Sequence, residues 1–94
     1  MNQHLFEREY GIVKYVNVDG DYRFCHLDGN HIDLVFGTER ADSAGFISFD
    51  TDKDDKKFFR IPKESSMTLR IGPKPEEDGP ILAELLGFYY LERK

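Results

Sequence analysis

The side chains best suited to chemistry in this 94-residue sequence are aromatic and basic, and they gather in one short stretch. Lys14 and Tyr15 precede an Asp19-Gly20 dipeptide, and Tyr22, Arg23 and Phe24 follow it. Asp-Gly suits a tight hairpin, because both central positions of its turn need φ > 0. Folding there brings these residues together. Aromatic faces stack nucleic-acid bases for roughly 1–3 kcal/mol each, and Lys or Arg neutralises backbone phosphates. The same rings could instead meet a protein partner, or be covered by the N-terminal segment or by a hairpin inserted downstream.

Other constellations are weaker. His26 and His31, with Asp28 and Asp33, would share a face if residues 21–27 and 31–36 paired as strands. Structural zinc sites take four ligands, usually including several cysteines, and the one cysteine here is Cys25. Two surface histidines that hydrogen-bond or stack are the expectation, with no metal. Asp50, Asp52 and Asp54 copy the first three ligand positions of a calcium-binding loop. Asp55 and Ile61 stand where that loop needs Gly and Glu, so a solvated hairpin tip is expected instead. Ser43, Ser48, Ser65 and Ser66 lie in no nucleophile motif, there is no Gly-rich phosphate loop, and Cys25 falls at a core position, where thiols are inert. Neither an enzyme nor a cofactor is expected.

Composition narrows the partners. Thirteen Lys and Arg against eighteen Asp and Glu give a net charge of −5, which excludes a strongly basic nucleic-acid binder. Any such binding must use a local patch. The length suits one domain over residues 1–94, and a lone cysteine leaves no internal disulfide. The first seven residues lack the charged start and apolar stretch of a signal peptide, and no apolar run approaches the ~18 residues of a membrane span. A cytoplasmic protein is the default expectation.

The elements that must position these residues read as strands. Residues 10–18 and 21–27 are rich in β-branched and aromatic types, and residues 31–36 follow a second turn signal, Asp28-Gly29. Alternation assigns Cys25, Leu27, Ile32, Leu34 and Phe36 to the core, with Tyr22, Phe24, His26, His31, Asp33 and Val35 facing outward. Residues 45–50 and 58–61 flank the charged turn as a further hairpin, which Pro62 ends, and residues 66–71 alternate like a half-buried strand. Residues 73–80 read as a loop. Residues 81–91 fit a final strand bulged at Gly87 or a short helix, and closure of a barrel favours the strand.

In this order the elements resemble a cold-shock domain, an OB-type barrel that binds single strands. Gly11-Ile12-Val13-Lys14-Tyr15-Val16-Asn17 is similar to that family's opening Gly-x-Val-Lys-Trp-Phe-Asn. Gly20-Asp21-Tyr22-Arg23-Phe24-Cys25 stands at its first ribonucleoprotein motif, and Asp33-Leu34-Val35-Phe36-Gly37-Thr38 at its second. Residues 66–71 resemble the fourth strand, and Asp78-Gly79-Pro80-Ile81-Leu82-Ala83 the start of the fifth. Arg23 and Asp21 replace glycines, and Val35, Gly37 and Thr38 stand where the family has Phe, His and Phe. The resemblance implies an all-β fold: a five-stranded OB-like barrel over residues 10–91, with an extra β-hairpin inserted after strand 3 at residues 38–61. It implies weak binding of single-stranded RNA or DNA through Lys14, Tyr15, Tyr22, Arg23, Phe24 and Val35. A protein-interaction or inhibitor module on a degenerate barrel is the alternative, favoured by the lost aromatics, the net charge and the extra hairpin.

Overall fold

The computed structural model describes residues 11–51 and 53–92. Tyr10, the expected start of the first strand, and Asp52 of the acidic run lie outside the described residues. The first hairpin forms as its sequence requires: β1 (Ile12–Val18) pairs antiparallel with β2 (Asp21–His26), placing Val18 opposite Asp21 and Tyr15 opposite Phe24. Asp19 and Gly20 take φ of 50° and 86°, the left-handed pair that a two-residue hairpin loop demands. Asn17 Oδ1 accepts from the Gly20 N–H, and Asp42 Oδ2 accepts from the Asp19 N–H.

On its other side β1 pairs with β3 (Ser43–Thr51), and β3 turns back into β4 (Lys57–Arg60), both antiparallel. The chain then crosses through α1 (Pro75–Leu86) and enters β5 (Tyr89–Tyr90), which runs parallel to β4. The result is a predominantly β structure, with a five-stranded sheet in the order β2-β1-β3-β4-β5 and one short helix among the described residues. β2 and β5 are its two outer strands, so the sheet is open.

Several sequence expectations are corrected. Residues 31–36 hold a single turn of 3-10 helix, His31–Leu34, where a strand is expected. The outer edge of β2, which a third consecutive strand would use, carries no strand among the described residues, and the next strand, β3, pairs with β1 on its far side. The turn is held instead by the His31 ring and by Arg23, which donates to the Leu34 carbonyl. Alternation therefore fails as a guide to the core here, and Leu27, Ile32 and Phe36 are exposed. The expected strand over residues 66–71 shrinks to one bridge, Ser66 with Ile71. The preferred strand over residues 81–91 is mostly α1. Pro75 opens that helix, Glu76, Glu77 and Asp78 fill its first turn, and Gly87 ends it at φ 72° with its N–H on the Ala83 carbonyl. The hairpin at residues 38–61 is no appendage: β3 sits between β1 and β4, in the middle of the sheet.

Pairing and alternation give the sheet two faces. Val13, Tyr15, Ile47 and Phe59 line one, with Leu82 of α1 and Ile61 closing the main core above them. Val16, Val18 and Ala44 line the other, covered by Leu34, Val35, Ala41, Leu69 and Ile71 from the 3-10 turn and the 66–71 loop. That second cover reaches only part of its face.

Candidate functional site

The rings expected to stack bases lie beneath α1. Tyr15 is 0% exposed, and its hydroxyl donates to Asp78 Oδ2 at 2.5 Å. Tyr22, half-buried, donates to Asp78 Oδ1 at 2.7 Å, and the two rings stack with centroids 6.2 Å apart. Ser43 Oγ donates to Oδ1 at 3.0 Å, and the Lys74 backbone N–H to Oδ2 at 3.0 Å. Asp78 itself is fully buried. Four donors from β1, β2, β3 and the start of α1 thus converge on one carboxyl group, which pins the helix to the sheet. Burial, and then the hydrogen bond to Asp78, push both tyrosine hydroxyls well above the usual tyrosine range. Phe24 packs at the margin of the same core.

The remaining expected contacts are scattered. Lys14 lies on the opposite face and donates its Nζ to the Gly29 carbonyl. Arg23 meets Glu39 through two nitrogens, at 2.7 and 2.8 Å, and Asp21 Oδ2 at 2.8 Å. The Arg23 guanidinium and the Phe36 N–H together hold the Glu39 carboxyl down at about 2. Val35 packs in the second cluster. The structure brings Tyr15, Tyr22 and Phe24 together under the helix and leaves Lys14, Arg23 and Val35 on the other side. Stacking on Tyr15 is sterically closed in this conformation.

His26 and His31 separate too. His31 is buried, and its Nε2–H donates to the Gly45 carbonyl at 2.7 Å, with the ring edge-on to Phe46. Burial lowers its pKa. His26 is exposed at the end of β2. No group of three or more metal-ligating side chains is assembled among the described residues, and no helix there is long and apolar enough to cross a membrane. A cleft of about 640 Å³ lies beside the first turn of α1, lined by Ile61, Tyr90, Lys63, Lys74, Glu76 and Glu92 among others. Its charges are mixed and it contains no paired acid and base.

What remains open is the uncovered part of the face opposite α1. Phe58 and Arg60 of β4 point there, beside Ile12 and Ser48, and Tyr89 and Leu91 continue the row at the β5 edge. Ile12, Tyr89 and Leu91 are 40%, 63% and 37% exposed. The Arg60 guanidinium lies 5.7 Å from the centroid of the Phe58 ring. On the same side, the 3-10 turn and its surrounding loops expose Leu27, Ile32, Phe36 and Met67, the last at 90%. Comparison with known protein families, with curated proteins and with solved structures finds no match for this chain.

Sequence reasoning missed Asp78, read as part of a turn. The helix signals around it were legible: a proline start, acids in the first turn and a glycine stop. The partners of Asp78 were not, since Tyr15 lies 63 positions away in sequence.

Proposed function

We propose that this chain is a protein-binding module that docks its partner on the side of the sheet opposite α1. One observation carries the reading: the exposed large apolar side chains are concentrated there. Ile12, Tyr89 and Leu91 stand at the open end, and Leu27, Ile32, Phe36 and Met67 stand around the 3-10 turn, whereas α1 exposes only Ile81 and Leu85. Patches of this kind on a small domain mark interaction sites, and an arginine amid aromatic rings is a common anchor of protein interfaces. Two further facts support it. Arg23, one of the residues expected to bind nucleic acid, is already neutralised by Glu39 and Asp21, and the chain carries a net charge of −5.

A second reading is weak binding of single-stranded RNA or DNA, on an OB-like relative of the cold-shock domains. It is favoured by the stacking surface of Phe58 and Tyr89 beside the Arg60 cation. One pair of measurements separates the readings. A photo-reactive residue at position 89 or 67 should join the chain to a discrete protein in extract from the source cells, and one at position 81 should not. A labelled oligo-pyrimidine should give a flat anisotropy titration at low salt. Saturable binding that weakens with salt and disappears in Tyr89→Ala would replace the first reading with the second.

A further inference from the structure

The open end of the sheet has a charge pattern that fits itself. Across the β3–β4 pair, Asp50 stands opposite Phe58, and Ser48 opposite Arg60. Directly opposed residues share a face, as do residues two apart, so these four form one block on the side away from α1. Asp50 and Arg60 occupy opposite corners of that block. Arg60 is exposed and rests on the Phe58 ring, with no ion pair among the described residues. Asp50 is exposed as well, and among the described residues one of its oxygens accepts from the neighbouring Thr51 N–H and from no other group. A cation and an anion are thus both available, diagonal to each other, with an aromatic ring between them and apolar Ile12, Tyr89 and Leu91 around them.

We infer that the partner on this face is a second copy of the chain. The inference rests on the protein-binding reading above and names the occupant. A two-fold axis lying between two such faces, and crossing the Asp50–Arg60 diagonal at its midpoint, puts Arg60 of each copy against Asp50 of the other. The pair forms twice, as an isologous interface requires. The same axis runs roughly along the other diagonal, so the two Phe58 rings meet each other near the centre. Each Arg60 keeps its aromatic ring and gains the carboxylate acceptor it lacks in one copy. The patch is small. Four strands at ~4.8 Å spacing, with two rows of side chains, fall short of the ~800 Å² per partner of a standard interface. The dimer is therefore weak, forming at high micromolar concentration and exchanging rapidly.

Sedimentation equilibrium of the full chain, from about ten to several hundred micromolar, tests this. Wild type should follow a monomer–dimer equilibrium. Arg60→Asp and Asp50→Arg should each weaken it by about tenfold or more, because each sets like charges face to face. The double variant carrying both changes reverses both charges and should restore the dimer to within about threefold of wild type. Circular dichroism of the same exposed-site variants checks that they fold. A wild type that stays monomeric at every concentration, or a dimer indifferent to both reversals, overturns the inference. The protein-binding reading fails separately: a monomeric chain that still crosslinks a different protein through position 89 keeps that reading and loses only the second copy.

Discussion

Removing the Asp78 carboxyl group should be among the most damaging single changes available in this chain. In Asp78→Ala the Tyr15 and Ser43 hydroxyls, both in residues that are 0% exposed, lose the acceptor they share. A buried donor left unsatisfied costs about 1–3 kcal/mol, giving about 2–6 kcal/mol for the two. Tyr22 is half-buried and can turn to water, so it adds little. Loss of an acidic side chain from the first turn of α1 adds about 0.3–1 kcal/mol. A domain of this size holds roughly 5–14 kcal/mol of stability in all, so the variant should be severely weakened but measurable. The informative quantity is the sign of a second change. In the wild type, Tyr15→Phe removes one hydrogen bond to a carboxylate and should cost about 1.5–3 kcal/mol. In the Asp78→Ala background the same change removes an orphaned hydroxyl, and it should be neutral or stabilising. Urea unfolding followed by circular dichroism, on both single variants and the double, gives all four corners of the cycle. If Asp78→Ala costs under ~1 kcal/mol, or Tyr15→Phe costs the same in both backgrounds, the convergence on Asp78 does not hold the helix.

The raised tyrosine hydroxyls set an alkaline limit. The folded state keeps the Tyr15 proton where the unfolded chain has lost it. Stability is therefore fully present below ~10 and falls as pH rises above it, by about 1.4 kcal/mol per pH unit from Tyr15 alone. Thermal melts between pH 8 and 11.5 should show this slope, and Tyr15→Phe should flatten it; an unchanged slope in that variant would exclude Tyr15 as the source. Gly79→Ala sets two effects against each other. Alanine favours a helix interior by about 1 kcal/mol, but its methyl group would overlap the Tyr90 ring, which also packs on Phe59. Overpacking should win by about 1–3 kcal/mol in urea unfolding, and Gly79→Ala should turn stabilising once Tyr90→Ala has removed the ring. If it destabilises equally in both backgrounds, the close approach of ring and helix is not what demands glycine.

Local chemistry was readable wherever it acts between near neighbours. The Asp19-Gly20 turn and the hairpin it closes follow from backbone sterics at two residues and appear in place. The helix over residues 75–86 carried its proline start, acidic first turn and glycine stop in the sequence, but an expected barrel closure outweighed them, and Gly79-Pro80 read as a loop. The turn at His31–Leu34 shows the opposite failure. Its alternation suits a strand paired with β2, yet the pattern cannot show that the segment turns onto the sheet face instead, where the His31 ring meets the Gly45 carbonyl and Arg23 meets the Leu34 carbonyl. The sequence offers Tyr15 and Tyr22 as rings for stacking bases. Sequence by itself determined that they sit side by side on one hairpin face. Only the tertiary structure decided what they face, because burying a carboxyl group demands several donors at once. Those donors come from four separate elements that only the folded sheet and helix bring within hydrogen-bonding distance of Asp78.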